Sequence, residues 1–313
     1  MKCERIWIEK EREVYFDTYL LENSQELHKD IKRPVIVICP GGGYKNLSDR
    51  EAEPVALKYN SAGFHAVVLR YGVDKHAVMP SPIQDLAKTI VHLHESSNEW
   101  FIDTNNIFVA GFSAGGHLAA SLGVFHNDPE VLPEFQDGKF SIKPKGVILG
   151  YPVLDLKSTA TSLDIGISGH PDYTDIEFDM LHPNIDPGEV FIRTEDKTVV
   201  NFEVAMNAYM FGGKATSTQL EKYSLQNQVD SDSSPAFIWH GGNDGLILPQ
   251  NALKFSCALQ ENKVGYELHI YGTGDHGLAL ANDVTSNNPW EFVPEAQNWI
   301  DMSITWIKNQ TRL

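Results

Sequence analysis

Short apolar runs alternate with longer amphipathic segments along most of the chain. The short runs are rich in β-branched residues, which favour strands. The predicted strands are Val14 to Leu20, Val35 to Cys39, His65 to Tyr71, Ile107 to Ala110, Val147 to Tyr151, Ala236 to His240 and Tyr266 to Tyr271. Several of these runs are apolar throughout, which is typical of a sheet that is covered on both faces.

The longer segments carry apolar residues at helical spacing. The predicted helices are residues 48–51 continuing to about Asn60, Pro82 to about Ser96, Ala114 to Phe125, Phe202 to Phe211, Pro249 to Asn262 and Pro294 to Lys308. Ser48 and Glu51 stand at the spacing of a capping box at the start of the first helix. Strands alternating with helices predict an α/β fold, with a mostly parallel, doubly wound sheet and helices on both faces.

The alternation is interrupted over residues 156–200, which are rich in Asp, Gly, Pro and Ser. A structureless stretch of this length is uncommon inside a compact domain and is usually functional or mobile. We interpret it as an inserted cap or lid over a site. The alternative is a surface loop that makes no contact with the substrate. With 313 residues, we expect one domain over residues 1–313.

Composition excludes several classes of function. The net charge of −17, from 25 basic and 42 acidic residues, argues against a nucleic-acid partner. The three cysteines, Cys3, Cys39 and Cys257, form no CxxC pair and indicate neither a disulfide framework nor a metal site. The charged N-terminus and the absence of a long apolar stretch favour a soluble, cytoplasmic protein with no membrane partner, although a secreted protein cloned without its leader would look the same.

A candidate nucleophile lies in residues 111–117, GFSAGGH, between the predicted strand Ile107 to Ala110 and a predicted helix. A G-x-S-x-G motif in this strand-turn-helix context holds Ser113 above the sheet in a strained turn. The helix N-terminus also favours negative charge nearby. The alternative is an ordinary glycine turn with a capping serine. His117 is expected to pack in the helix start rather than act as a base.

Residues 40–44, PGGGY, directly follow the predicted strand Val35 to Cys39. Three successive glycines let the main chain approach a ligand closely and direct amide N–H groups at one point, as an oxyanion hole requires. A phosphate-binding loop is disfavoured because the Gly-Lys-Ser/Thr ending is missing.

Two further loops supply an acid and a base. Asp244 lies in residues 240–249, HGGNDGLILP, after one predicted strand, and His276 lies in residues 271–278, YGTGDHGL, after the next. Ser113, Asp244 and His276 then form a nucleophile, an orienting carboxylate and a general base. Asp275 is less favoured as the acid, because neighbouring residues on a loop usually point apart and Asp275 is adjacent to His276. Asp283 is also possible and is less favoured.

Together these motifs resemble microbial α/β-hydrolases grouped with acetyl xylan esterases, bifunctional feruloyl/acetyl esterases and hormone-sensitive-lipase-like carboxylesterases. The likeness runs from about Val35 to Leu280. It implies the α/β-hydrolase fold, a Ser113, Asp244 and His276 triad, and oxyanion donors at Gly42, Gly43 and Ala114. Pro40 stands where many lipase-like relatives have histidine, which favours the acetyl-esterase branch.

The resemblance implies a serine carboxylesterase that needs no metal or organic cofactor and acts on a small-molecule ester. Short acyl esters are favoured, above all acetyl groups on sugars or xylo-oligosaccharides. Feruloyl or generic carboxylesters are the nearest alternatives. A peptidase is less favoured, because related peptidases carry a large additional domain that gates access to the site. A non-catalytic binding protein is also less favoured, because it would be expected to have lost part of the catalytic triad. The sequence leaves the oligomeric state open, a homodimer included.

Overall fold

The structure is a computed structural model that describes residues 1–26, 29–157, 164–166, 184–193 and 198–311. The described strands are β1 (Arg5–Glu9), β2 (Val14–Tyr19), β3 (Arg33–Cys39), β4 (His65–Arg70), β5 (Ile102–Phe112), β6 (Gly146–Gly150), β7 (Asp164–Gly166), β8 (Phe191–Arg193), β9 (Thr198–Asn201), β10 (Ala236–Gly241) and β11 (Tyr266–Tyr271). The described α-helices are α1 (Glu53–Ser61), α2 (Ser81–Glu95), α3 (Ala114–Phe125), α4 (Pro187–Val190), α5 (Phe202–Phe211), α6 (Ser217–Tyr223), α7 (Gln250–Glu261) and α8 (Trp299–Thr311).

Eight strands form the central sheet, in the order β1-β2-β4-β3-β5-β6-β10-β11. The pairs β1–β2 and β2–β4 are antiparallel, and every other neighbouring pair is parallel. The carboxyl ends of β3, β5, β10 and β11 therefore lie along one edge, where the loops that follow them meet. The mostly parallel α/β sheet expected from the sequence is confirmed.

Successive residues of the central strands pack into different layers. Val35 and Val37 belong to one apolar core with α2, α3 and α7, whereas Ile36 and Ile38 belong to another with α1 and α8. Strand side chains alternate between the two faces of a sheet, so a strand that is apolar throughout needs a cover on each face. The helices provide both covers, as the apolar runs predict.

Several elements differ from the expectation. The strand β1 and the helix α6 were not predicted. The segment 48–51 begins with a 3-10 turn, Asp49–Glu51, and Ser48 makes no side-chain cap. The capping-box interpretation is therefore wrong, because the carboxylate of Glu51 accepts the N–H of Gly41 instead.

The interrupted stretch 156–200 is only partly within the described residues; residues 158–163, 167–183 and 194–197 lie outside them. Its described part contains the short helix α4 and a three-stranded antiparallel sheet in the order β7-β9-β8. The weak periodicity concealed these elements because strands of three or four residues carry too few positions to show a pattern. The helix α5 follows with the predicted bounds.

Across the described residues, we find no helix with both the length and the apolar character needed to span a lipid bilayer.

Candidate active site

Ser113 lies at the turn between β5 and α3 with φ 52° and ψ −119°, a backbone conformation that costs free energy for a residue with a side chain. Its neighbour Gly115 is packed against the end of β3, where an added Cβ would lie 2.1 Å from the carbonyl oxygen of Cys39. Only glycine allows this approach. The turn is therefore held tightly, and the Ser113 side chain is 5% exposed at the floor of a cavity.

The structure brings the three predicted chain segments together. His276 Nε2 lies 2.8 Å from Ser113 Oγ, and His276 Nδ1 lies 2.7 Å from Asp244 Oδ2. Because the ionised carboxylate only accepts hydrogen bonds, Nδ1 carries the proton. Nε2 is then the acceptor for the Ser113 hydroxyl. This is the tautomer that a histidine needs in order to remove a proton from serine.

Asp244 is held by four donors. Its Oδ1 accepts the amide N–H groups of Leu246 (3.0 Å) and Ile247 (2.9 Å), and its Oδ2 accepts His276 Nδ1–H and His240 Nε2–H (3.0 Å). His240 Nε2 also lies 2.7 Å from the Ile247 carbonyl, which can only accept, so this nitrogen carries a proton. The carboxylate is thus held at both oxygens, with Oδ2 bonded to the imidazole of His276.

Charge and burial shift the pKa values of both groups. Burial alone would raise the pKa of Asp244, but the charge and hydrogen bond of His276 and the hydrogen bond of His240 bring it well below its ordinary value. Burial alone would lower the pKa of His276, but the Asp244 charge and hydrogen bond and the charge of Glu51 raise it above its ordinary value. Asp244 is therefore ionised whenever His276 is neutral.

The glycine loop that follows β3 lies beside Ser113 in the same cavity. Gly42 and Gly43 have φ values of 131° and 64°, which favour glycine. Among the described residues, no acceptor is bonded to the amide N–H groups of Gly42, Gly43 and Ala114. These amide N–H groups are therefore not used in the hydrogen bonding of the described residues.

The cavity around Ser113 and His276 has a volume of about 350 Å³. Much of its lining is apolar and comes from α4, β8, β9, α5 and the loop after β10: Val190, Phe191, Val200, Phe202, Ala205, Met206, Tyr209 and Leu246. Polar residues Lys45, Asn46, Ser48 and Arg50 line it as well. The site can therefore hold an apolar acyl group together with a polar partner.

The other candidates of the sequence analysis lie elsewhere. His117 is fully buried, with Nδ1 2.8 Å from the Tyr44 hydroxyl and Nε2 2.9 Å from the Tyr223 carbonyl, so it packs as expected. Asp275 and Asp283 are exposed to solvent, and the carboxylate that His276 contacts is Asp244.

Within the described residues, no group of three or more His, Cys, Asp or Glu side chains is placed to hold a metal ion.

Glu51 and Tyr151 also belong to the site, although no motif of the sequence predicts this. Glu51 lines the cavity, and the ring of Tyr151 packs at 5.0 Å, between centroids, against the ring of His276. In the sequence, Glu51 looks like a helix-capping residue and Tyr151 like the last residue of a strand. The sequence signal for both is weak: a polar side chain next to an apolar segment, Glu51 before a helix and Tyr151 after a strand.

Comparison with known proteins finds relatives of this chain among xylan-acting enzymes and esterases. The chain is 29% identical over 286 residues to endo-1,4-beta-xylanase B of Butyrivibrio fibrisolvens, covering 90% of this chain and 38% of that protein. It is 22% identical over 268 residues to an acetylxylan esterase of Xylanibacter ruminicola, covering 85% of this chain and 45% of that protein. The chain thus spans less than half the length of these curated relatives.

Among solved structures, the carboxylesterase Cest-2923 from Lactobacillus plantarum WCFS1 superposes with a TM-score of 0.76 and 27% identity, covering 99% of this chain and 98% of that one. The α/β-hydrolase fold and the resemblance to acetyl xylan esterases and carboxylesterases are thereby confirmed. The family model of BD-FAE matches residues 17–259, most of the chain. This chain belongs to the BD-FAE family.

Proposed function

We propose that this protein is a serine carboxylesterase that hydrolyses short acyl esters through an acyl-enzyme. The observation that carries the proposal is the hydrogen-bonded series from Ser113 Oγ to His276 and from His276 to Asp244, at 2.8 and 2.7 Å. A nucleophile, a base and an orienting acid in this arrangement are the parts that acyl transfer through serine requires. The esterase names of the relatives support the same reaction class.

In the first step, His276 Nε2 takes the hydroxyl proton as Ser113 Oγ attacks the carbonyl carbon of the ester. The carbonyl oxygen becomes an anion beside the N–H groups of Gly42, Gly43 and Ala114, where each donor is worth about 2.7–4 kcal/mol to the transition state. The imidazolium then gives its proton to the departing alcohol. Water repeats the sequence on the acyl-enzyme and releases the acid.

The cavity supports an ester with a small acyl group on a polar alcohol, such as an acetylated sugar or xylo-oligosaccharide. Its polar lining by Lys45, Asn46 and Ser48 offers partners for hydroxyl groups. Two relatives are named for activities on xylan. Hydrolysis of acetyl groups on xylo-oligosaccharides is therefore the activity that we propose first.

A feruloyl or larger carboxylester is the second candidate, and one observation favours it. The aromatic residues Phe191, Phe202 and Tyr209 line the cavity near the serine, and they would pack against a larger acyl group. These residues belong to or follow the interrupted stretch, and we propose that residues 156–200 act as a cap that shapes this side of the cavity.

A substrate panel tests these proposals. It compares p-nitrophenyl esters of increasing chain length, methyl ferulate and an acetylated xylo-oligosaccharide, with Ser113→Ala as the control. Under the proposal, the acetyl esters have the highest kcat/KM and Ser113→Ala loses turnover of all of them. Retained turnover in a pure Ser113→Ala preparation would refute the serine mechanism, and absence of any turnover by the intact protein would favour a binding protein.

A further inference from the structure

Glu51 is a carboxylate buried directly behind the glycine loop. Its side chain is 4% exposed. Its Oε2 accepts the amide N–H of Gly41 at 2.6 Å, and its Oε1 accepts the hydroxyl of Tyr151 at 2.7 Å. Gly41 immediately precedes Gly42 and Gly43, so Glu51 holds the loop at the point where the proposed oxyanion donors begin.

Tyr151 extends this connection to the histidine loop. It follows β6 with a φ of 36°, and its hydroxyl accepts the amide N–H of Ala279 at 2.8 Å. Its ring packs edge-on against the His276 ring, at an interplanar angle of 70°. The series Gly41, Glu51, Tyr151 and Ala279 therefore links the two loops that flank Ser113 through three hydrogen bonds.

Stability does not explain why a carboxylate occupies this position. Among the ion pairs of the described residues none includes Glu51, and the neighbouring Arg50 guanidinium instead pairs with Glu291 at 2.8 Å. A buried charge without an ion-pair partner costs free energy, which a neutral side chain would not incur. A charge kept at such a cost, beside reacting groups, points to a role in the reaction.

The charged and titratable groups that face this position are Arg50 on the same turn, His276 and Tyr151 from two other loops, and Tyr71, whose hydroxyl bonds the Pro40 carbonyl. Burial raises the pKa of Glu51 above its ordinary value, against the lowering effects of the Tyr151 and Gly41 hydrogen bonds and of the His276 and Arg50 charges. The negative charge of Glu51 in turn adds to that of Asp244 in raising the pKa of His276.

We propose that Glu51 is a positioning residue of the hydrolytic site, fixing the glycine loop through Gly41 and the histidine loop through Tyr151 while its charge stabilises the imidazolium of His276. This inference rests on the proposed esterase function. Glu51 makes no contact with the substrate in this proposal, so its replacement lowers kcat much more than it changes KM.

The test compares Glu51→Gln with Glu53→Gln in p-nitrophenyl acetate hydrolysis. Glu53 is exposed, lies two residues further on and accepts the Tyr19 hydroxyl away from the site, so it controls for the same chemical change. Glu51→Gln is expected to lower kcat by ~10–100-fold, the cost of a small misplacement of reacting groups. KM stays within about threefold, and the acid limb of kcat/KM moves to lower pH because His276 loses a neighbouring negative charge. Glu53→Gln is expected to leave kcat, KM and the acid limb of kcat/KM unchanged.

Thermal melting distinguishes this role from structural support. A carboxyl whose pKa is raised by folding loses stability as pH rises from its ordinary value through the raised one, and glutamine has no such loss. The melting temperature of Glu51→Gln relative to that of wild type is therefore expected to be higher at pH 8 than at pH 5. A melting difference that is the same at pH 5 and pH 8, together with an unshifted acid limb of kcat/KM, would overturn the proposal in favour of simple structural support.

Unchanged kcat and an unshifted acid limb in Glu51→Gln would also overturn it, provided that Ser113→Ala is inactive. Activity retained in Ser113→Ala would instead refute the proposed function, hydrolysis through Ser113. If Glu51→Gln does not fold, Tyr151→Phe decides, because it removes the hydroxyl that joins Glu51 to Ala279. A fall in kcat at constant KM in Tyr151→Phe supports the proposal, and wild-type kcat refutes it.

Discussion

Replacing Asp244 by asparagine changes one atom of the site and can put a donor where Oδ2 accepts two hydrogen bonds. Four N–H donors converge on the two carboxylate oxygens, from Leu246, Ile247, His240 and His276. The amide oxygen of asparagine can keep the two main-chain donors. Its NH2 group then occupies the place of Oδ2 and faces His276 Nδ1.

Two donors cannot bond each other, so His276 must become an acceptor at Nδ1 and carry its proton on Nε2. Nε2–H then points at Ser113 Oγ and cannot take the hydroxyl proton. A wrong tautomer of this kind costs roughly 10⁴-fold in kcat in serine hydrolases, which corresponds to about 5.4 kcal/mol. We expect a loss of this size for Asp244→Asn.

The assay is steady-state hydrolysis of p-nitrophenyl acetate near pH 8, with Asp275→Asn as the matched control. Asp275 is adjacent to His276 in the chain but exposed, and its replacement removes the same charge. Asp275→Asn is expected to keep kcat within about twofold of wild type. The reasoning fails if folded Asp244→Asn retains kcat within about tenfold of wild type, or if Asp275→Asn is the more damaging change.

Three further results follow from the site. Phe202 lies over the glycine loop, with ring atoms 3.0 and 3.2 Å from where a Cβ on Gly43 would stand. If the acyl group is short, this ring limits its length, so Phe202→Ala is expected to raise the octanoate-to-acetate ratio of kcat/KM by about tenfold. An unchanged ratio would place the acyl group elsewhere, and a lowered ratio would favour the second candidate, in which the ring packs against a larger acyl group. Gly115→Ala would press on the Cys39 carbonyl and should lower both kcat and the melting temperature, costing about 1–3 kcal/mol of stability, whereas wild-type values would contradict the close packing. Because the base must be neutral and the pKa of His276 is raised, kcat/KM should fall as pH decreases through a midpoint above 6.5, and a midpoint below 6 would contradict the charge arrangement.

Local pattern was enough to predict seven of the eight strands of the central sheet. The strand β11 and the helices α3 and α5 have the expected bounds. Apolar and polar residues alternate in most of β11, and the two helices are apolar over most of their length. The glycines around Ser113 also carry a local signal, since a tight turn excludes larger side chains whatever the rest of the chain does.

Contacts between distant residues could not be predicted in the same way. Glu51 bonds Tyr151, 100 positions further along the chain, and no periodicity connects the two. The short strand β1 was missed because its stability comes from pairing with β2 and not from its own five residues. The choice of Asp244 over Asp275 rested on the expectation that sequence neighbours point apart, and it took the folded loop to show which carboxylate the imidazole contacts.

Covalent labelling with a fluorophosphonate tests the central proposal, a nucleophilic Ser113, most directly. In this reaction the serine oxygen displaces fluoride from phosphorus, and His276 takes the hydroxyl proton. We expect one label per chain, located on Ser113 by peptide mass spectrometry, with loss of esterase activity in proportion to labelling and no label in Ser113→Ala. An esterolytically active preparation that remains unlabelled, or that carries the label on another residue, would contradict the account.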